Sequence, residues 1–270
     1  MAKAKQDRGG ILATRVRVIH ALLQREAARK GSGVMGYLAL IAEPLALVVG
    51  LSALRYELNP IPPLGPSMPL FFLNGVVVFY VFNKVEAYVS NTMGKNQQLL
   101  NFSVIVPMDL YLSQMLYVFV SMFFLYHFIL LAHNFIMIAI YPNQVLWPED
   151  ILRIYEAIIM AAMYGFVLGI LNASIEQFWP VWENIFSWVR RGQYIFSGKM
   201  FVVDYAPTTV REVIYWNPLM HPIELARSGF YPYYESKSMD LPYFYGSLLA
   251  LGVVAFSLER FARQKLTADS

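Results

Sequence analysis

No cysteine occurs in this sequence of 270 residues, and only 14% of the residues carry a formal charge. The lack of cysteine excludes disulfide bonds, thiolate metal ligands and a cysteine nucleophile. The shortage of charge excludes an ordinary soluble domain, in which about 25% of residues are charged. Hydrophobic residues make up 57% of the chain. The composition therefore indicates a single membrane domain, 1–270, with no room for a separate soluble domain.

Motifs that would mark an enzyme are missing as well. Gly94-Lys95 lacks the preceding spacing and the following Ser or Thr of a nucleotide-binding loop. The histidines lack metal-ligand spacing, because even His127 and His133 lie nearly two helical turns apart. No Gly-x-Ser-x-Gly elbow occurs. We therefore expect no catalytic residue, metal or cofactor on this chain.

The first thirty residues, 1–30, form a basic and amphipathic segment. Their Lys and Arg residues far outnumber Asp7 and Glu26, which is more typical of a cytoplasmic anchor on anionic lipid than of a nucleic-acid site. We expect no nucleic-acid partner. Apolar residues recur at helical steps at Leu12, Val16, Ile19, Leu23 and Ala27. This stripe predicts a helix in the membrane interface, and packing against a soluble partner is the alternative.

Six segments are candidates for membrane spans. We predict spans at residues 34–54, 70–89, 110–140, 151–171, 181–201 and 241–258. The third exceeds the length that a roughly 30 Å hydrocarbon layer requires, so it must tilt, protrude or break. The fifth is interrupted by the charged residues Glu183, Arg190, Arg191 and Lys199. Six spans nevertheless place both basic termini in the cytoplasm, as the positive-inside rule requires.

Small residues recur four positions apart on the fourth predicted span. They are Gly165, Gly169 and Ala173. Such a row lets helix backbones approach each other closely, so it predicts tight helix packing, either within one chain or between chains.

The fifth predicted span combines arginines with aromatic rings. Arg190 and Arg191 lie near its centre, where charge is costly, so at least one should face a polar cavity or an anion. The neighbouring rings include Trp179, Trp182, Phe186 and Tyr194. Rings stack on sugars and arginines pair with phosphate or carboxylate, so the combination predicts an acidic glycan or glycolipid ligand. An interfacial aromatic belt is the alternative for the first rings.

The stretch 202–240 is amphipathic rather than loop-like. Pro207 can begin one short helix that ends near Trp216, and an Asn-Pro pair separates it from a second helix that ends near Arg227. We predict that the two helices form a re-entrant hairpin at the outer membrane surface. An ordinary external loop is the alternative.

The polar elbow at 90–106, between the second and third spans, contains 96–100 (NQQLL) followed by Val106-Pro107. Later segments are 196–198 (FSG) and 217–224 (NPLMHPIE). Together with the interface helix and six spans, the order of these segments resembles the permease subunit of ABC exporters for capsular polysaccharide and O antigen. The resemblance covers nearly the whole chain, and 217–224 is its most specific part.

This resemblance implies a homodimer around a channel, with two copies of a separate cytoplasmic ATPase subunit that hold ATP and Mg. The elbow would be the coupling helix, with Lys95, Asn96, Gln97, Leu99 and Leu100 as its contact residues. The helices of 202–240 would be a periplasmic gate. The gate residues would be Trp216, Asn217, Pro218, His221, Glu224 and Arg227.

The implied substrate is a lipid-linked acidic capsular polysaccharide that crosses the bacterial inner membrane from cytoplasm to periplasm. A periplasmic adaptor and an outer-membrane export protein would receive it. A permease for O antigen or teichoic acid is the nearest alternative. A self-sufficient secondary transporter would need internal repeats and discontinuous helices in both halves, and the sequence shows neither.

Overall fold

The computed structural model describes residues 2–30, 34–102, 104–140 and 146–268. Within those ranges the regular structure is helical and no strand occurs, which confirms the predicted all-α class. The α-helices are α1 (Ala2–Lys30), α2 (Val34–Leu58), α3 (Met68–Ser90), α4 (Thr92–Asn96), α5 (Pro107–Ile140), α6 (Ile151–Phe178), α7 (Trp182–Phe196), α8 (Thr208–Tyr215), α9 (Met220–Phe230) and α10 (Leu241–Ala268). Two short 3-10 helices cover Gln97–Asn101 and Val203–Tyr205.

Helix α3 lies at the centre of the bundle and packs against α2, α5, α6 and α9. Its contact with α6 depends on the row of small residues. A Cβ on Gly165 would lie 2.6 Å from the backbone oxygen of Phe82, and a Cβ on Gly169 would lie 2.9 Å from that of Glu86. The close packing predicted for these glycines is therefore confirmed, and it occurs within one chain.

Four helices in the described part of the chain are long and apolar enough to cross a membrane. They are Met68–Ser90, Pro107–Ala139, Ile151–Phe178 and Leu241–Gln264. The predicted fifth span corresponds to α7, which has 15 residues and is only about 22 Å long at 1.5 Å per residue. The count of six spans stays a prediction. Helix α5 continues without a break through the third predicted span. Of the three ways to fit this length into a membrane, tilting and protrusion therefore remain.

Helix α1 docks on the elbow and on the start of α5. Arg15 donates hydrogen bonds to the backbone oxygen of Val104 and to Asp109, both at 2.8 Å. The face that packs on the protein is centred on Leu22 and Glu26, which are buried. The placement of the apolar stripe in the membrane interface stays a prediction, and its residues Leu23 and Ala27 are partly buried against the core. Val16 is exposed, and the side chain of Leu12 lies outside the described part of the structure.

Helices α8 and α9 match the two short helices predicted after Pro207, and their placement as a re-entrant hairpin at the outer membrane surface stays a prediction. The two helices differ in environment. Most of α8 is exposed, whereas every residue of α9 is buried, because α9 packs between α3 and α6. The predicted hairpin thus consists of one surface helix and one helix inserted into the bundle.

Candidate functional site

A buried polar cluster connects α7 to the centre of the bundle. Glu86 on α3 has no exposed surface, and Arg190 donates to it from Nε at 2.7 Å and from Nη2 at 3.1 Å. Arg190 also pairs with Glu183, which lies two turns earlier on the same face of α7, at 2.6 Å. Asn172 on α6 donates to Glu86 at 2.8 Å. Three helices therefore meet at one carboxylate, whose desolvation is offset by several charge-assisted or neutral hydrogen bonds.

This cluster changes what can be expected of the two predicted anion-binding arginines. The charge of Arg190 is already compensated by two carboxylates, so an incoming anion would have to compete with Glu86 and Glu183. Arg191 is exposed, and its guanidinium lies 4.7 Å from the centroid of the Trp188 ring. Of the pair, Arg191 is the residue that a ligand can reach. The anion-binding role itself stays a prediction.

Trp179, which follows α6, forms a continuous row of tilted rings with Trp182 and Phe186 of α7. The centroids of Trp179 and Trp182 lie 6.1 Å apart, and those of Trp182 and Phe186 lie 6.2 Å apart. Trp182 donates from Nε1 to Asn172 at 3.0 Å, while the guanidinium of Arg190 lies over the buried Phe186 ring. Trp182 and Phe186 thus contact residues of the Glu86 cluster, whereas Trp179, at the other end of the row, is exposed.

Tyr194, the last predicted residue of this group, lies near the end of α7. Its ring packs edge-on against Phe79 of α3, with centroids 5.6 Å apart. The Nζ atom of Lys199 lies over both rings, and among the described residues it has no hydrogen-bond partner. The sequence had marked Lys199 only as a charge that interrupts the fifth span, and its burial against these rings was not predicted.

The predicted coupling residues lie in the elbow beside α1. Asn96 is buried, and its Oδ1 accepts a hydrogen bond from Arg25 of α1 at 2.9 Å. Lys95 is exposed, whereas Leu99 and Leu100 are half-buried. Gln97 begins the 3-10 helix, and its side chain lies outside the described part of the structure. The elbow and the N-terminal helix are therefore in direct contact, and the coupling role of the elbow stays a prediction.

Two of the predicted gate residues form a buried ion pair on α9. Arg227 donates to Glu224 at 2.7 Å, and neither side chain has exposed surface. Arg227 also donates to the backbone oxygens of Phe201 at 2.8 Å and Lys199 at 2.9 Å. Tyr234 donates to the second oxygen of Glu224 at 2.5 Å. The ion pair thus connects α9 to the segment after α7, through Lys199 and Phe201, and to the segment after α9, through Tyr234.

His221 is held as a neutral imidazole at the start of α9. Its Nδ1 accepts a hydrogen bond from the backbone N–H of Asp240 at 3.0 Å, so the ring proton must reside on Nε2, which donates to the backbone oxygen of Tyr215 at 3.2 Å. Burial of the ring lowers the pKa of His221 to about 4, although Tyr215 and Asp240 oppose that shift. The residue therefore fixes α8 against the start of α10.

The other predicted gate residues shape the turn between α8 and α9. Asn217 donates to the backbone oxygen of Phe196 at 2.9 Å and accepts from the N–H of Leu219 at 3.1 Å. Pro218 follows at once and is half-buried. Trp216 is exposed, and its ring meets Tyr243 edge-on. This turn consequently links the gate helices to the end of α7.

Asp204 was not predicted, and it organises the segment before α10. Its carboxylate accepts hydrogen bonds from the backbone N–H groups of Lys237 at 2.8 Å and Ser238 at 3.0 Å, and from the Ser238 hydroxyl at 2.5 Å. Although burial alone would raise the pKa of Asp204, these donors hold it below its ordinary value. Asp204 lies 33 and 34 positions before Lys237 and Ser238, and this separation gave no recognisable sequence signal.

The Glu224–Arg227 cluster and the Glu86–Arg190 cluster lie near opposite ends of α3. A Cβ on Gly75, in the first half of α3, would lie 3.1 Å from Nη2 of Arg227. Glu86 lies in the last turns of the same helix, immediately before α4 and the elbow. The fold therefore defines a multi-helix membrane protein with polar clusters at both levels of its central helix. Ionisable groups between membrane helices are typical of transport proteins.

Comparisons with known proteins define the relationship further. The Polysialic acid transport protein KpsM of Escherichia coli is 26% identical over 237 residues, which cover 87% of this chain and 89% of KpsM. The Capsule polysaccharide export inner-membrane protein BexB of Haemophilus influenzae is 23% identical, covering 82% of this chain and 81% of BexB. CtrC of Neisseria meningitidis serogroup A, with the same description, is 26% identical, covering 80% and 79%.

No family model matches the chain. The homologues of this chain are thus capsule polysaccharide export inner-membrane proteins at about 23–26% identity over most of its length, which confirms the predicted resemblance.

Proposed function

We propose that this chain is the membrane-spanning permease subunit of an ATP-driven exporter, which moves a lipid-linked acidic capsular polysaccharide from cytoplasm to periplasm. The observation that carries the proposal is the match to KpsM over 87% of this chain. Polysialic acid has a carboxylate on each sugar, so an exporter of related chemistry must accommodate repeated negative charge. The exposed Arg191 beside Trp188 provides a cation and a ring for such a polymer.

In the proposed assembly, six helices span the inner membrane: α2, α3, α5, α6, α7 and α10. Both termini are then cytoplasmic, and α1 lies at the inner surface. Two copies of the chain form the channel. We place the contact between the copies at α2 and α7, where Val49, Leu54, Trp188 and Ile195 are exposed in the single chain and open to a partner copy or to lipid. Their position on the helices that carry the charged residues Glu43 and Arg191 suits a channel wall.

Energy comes from two copies of a separate ATPase subunit, which bind the surface formed by α1 and the elbow. The Arg25–Asn96 and Arg15–Asp109 contacts support this placement, since they join the interface helix to the elbow and to α5. A movement of the elbow is transmitted to the end of α3, where Glu86 forms an ion pair with Arg190 of α7. The polymer leaves past α8 and α9 towards a periplasmic adaptor and an outer-membrane export protein.

Deletion of the chain in its host tests this function. Cells without it should lose surface polysaccharide and accumulate the lipid-linked polymer in the cytoplasm, and expression of the chain from a plasmid should reverse both effects. Removal of the partner ATPase should give the same phenotype. Unchanged surface polysaccharide after deletion would overturn the proposal, as would loss of the polymer at synthesis rather than at export.

A further inference from the structure

A cavity of about 540 Å³ lies beside the N-terminal end of α3. Three separate connections form its walls: 63–66 between α2 and α3, 146–149 before α6, and 230–234 after α9. Tyr205 completes the lining. The same end of α3 lies near Arg227, at the level opposite the elbow. In the proposed topology the cavity therefore opens on the periplasmic side, where the polymer leaves.

Exposed aromatic rings converge around this cavity. Trp147 and Tyr205 are mostly exposed, and Tyr233 is fully exposed. Rings this large gain free energy when an apolar surface covers them, so three of them around one concave site favour a ligand with flat apolar faces. An interfacial belt would present such rings outward to lipid. Here they come from three segments and share one cavity instead.

The walls of the cavity are fixed in advance by the fold. Gly65 adopts a φ of +63°, and its missing side chain admits Tyr231, whose Cε1 would lie 2.5 Å from a Cβ at that position. The hydroxyl of Tyr234 is bound to Glu224. The N–H of Asp150 donates to the backbone oxygen of Gly229 at 2.8 Å, which joins two of the three connections. A preformed site loses little free energy to ordering when a ligand binds.

The chemistry of the lining selects one class of ligand. Among the described residues that line the cavity, none is basic, and Glu149 carries the one carboxylate. A phosphate or a carboxylate would find no cation there, so the acidic group of a bound sugar has to point out of the cavity. The hydroxyls of a sugar can instead donate to Glu149 and to tyrosine oxygens while its C–H face stacks on a ring. The volume also lies within the roughly 300–1,000 Å³ of small-ligand sites.

We infer that this cavity is an exit subsite that binds one or two sugar rings of the exported glycan as the chain reaches the periplasm. The inference rests on the proposed function and adds a site to it. A protein partner is less suited to the cavity, because stable protein interfaces bury on the order of 1,000 Å² or more over broad surfaces.

Photo-crosslinking in exporting cells tests the subsite with the full chain in its native complex. p-Benzoylphenylalanine replaces Tyr233 in one strain and Tyr205 in a second. In a control strain it replaces Leu249, which is exposed on α10 away from the cavity. After illumination the chain is purified, and adducts are stained for carbohydrate and digested with protease. Strains unable to synthesise the polymer provide the matched negative control.

We expect carbohydrate-bearing adducts at positions 233 and 205, none at 249, and none without polymer synthesis. With the crosslinker at 205, Tyr233→Ala should lower the adduct yield about twofold to tenfold, as expected for one lost stacking contact. Tyr233→Phe should preserve the yield, because it keeps the ring.

Protein-only adducts, or no carbohydrate adduct in cells that export normally, would overturn the subsite. Equal yields from the native, Tyr233→Ala and Tyr233→Phe chains would overturn its stacking basis. Export that persists in cells lacking the chain altogether would instead overturn the proposed function, so the two failures are distinguishable.

Discussion

Arg190 of α7 and Glu86 of α3 are 104 positions apart in the sequence and share two hydrogen bonds, at 2.7 and 3.1 Å. Glu86 is fully buried, so the arginine provides most of the compensation for its charge. Because α3 leads directly into the elbow, this contact is a mechanical link between the elbow and the helix that carries the aromatic row.

Removal of the arginine charge should destabilise the protein. Arg190→Gln leaves Glu86 buried beside a neutral amide, and loss of one member of a buried pair costs about 3–5 kcal/mol. We expect a clearly lower unfolding temperature for the purified protein in detergent. Loss of export in this variant would then reflect folding as well as substrate contact.

The double variant Glu86→Gln/Arg190→Gln removes both charges and should recover part of the lost stability, as a double-mutant cycle can measure. Arg191→Gln is the matched control, since Arg191 is exposed, and its effect should remain within about 0.5 kcal/mol. If Arg190→Gln proves as stable as Arg191→Gln, the buried pair does not support the bundle.

The glycines of α6 should tolerate no added methyl group. In Gly169→Ala the new Cβ would lie 2.7 Å from the Cβ of Val89, and overpacking of this kind costs about 1–3 kcal/mol. Thermal unfolding measures the loss. Gly246→Ala is the control, because a Cβ there meets nothing within 4 Å, and alanine favours a helix over glycine by about 1 kcal/mol. A stability loss for Gly246→Ala as large as that for Gly169→Ala contradicts the packing.

Acid should weaken the contact between α8 and α10 through His221. Its pKa in the folded protein, about 4, lies below the ordinary 6.5, so the unfolded chain binds the extra proton between these values. The stability from neutral His221 is therefore complete above about pH 6.5 and declines as the pH falls towards 4. Asp240 and Asp204 have lowered pKa values, so their losses occur at lower pH.

Unfolding temperatures measured from pH 7.5 to 4.5 test this assignment. His221→Asn lacks the titrating group, so its stability should vary less with pH than that of the native chain across the same interval. Parallel curves for the two proteins would show that another group titrates in this window.

Contacts between α1 and the elbow should matter for export more than for folding. Arg25→Ala removes the hydrogen bond to Asn96, and a bond from a charged donor is worth about 1.5–3 kcal/mol before discounting for its exposure. We expect surface polysaccharide to fall by at least about threefold at an unchanged membrane level of the chain. The matched control is Arg17→Ala, an exposed arginine on the same helix. Equal export by both variants contradicts the coupling role.

Changes within the elbow provide a separate test. Gln97→Ala and Leu100→Ala should leave the ATPase subunit bound, yet ATP hydrolysis should no longer drive export. The ratio of polymer exported to ATP hydrolysed measures this in membrane vesicles. A native ratio in both variants would remove the elbow from the coupling pathway.

Local signals predicted much of this fold. Proline at 207 and the Asn-Pro pair at 217–218 marked the ends of two real helices, and the spacing of Gly165 and Gly169 marked a real packing face. These features depend on neighbours within a few turns. The spacing of Glu224 and Arg227, one turn apart, also permitted their pairing.

Partners that are distant in the chain could not be predicted in the same way. A lone sequence gave no indication that Glu86 would neutralise Arg190, so a polar cavity or an anion was expected to compensate at least one of the two arginines. Helical periodicity likewise gave no sign that Glu26 would be buried, because the apolar stripe of α1 was predicted to face the membrane interface rather than the protein. Both gaps arise where tertiary contacts, rather than local pattern, decide the environment of a charge.

In the proposed exporter this chain provides the pathway and another protein provides the energy. Reconstitution into liposomes, with and without the separate ATPase subunit, measures ATP-dependent movement of labelled lipid-linked polysaccharide across the bilayer. We expect transport when both proteins and ATP are present, and none with either protein alone. ATP hydrolysis or polymer transport by the purified chain alone would contradict this division of roles.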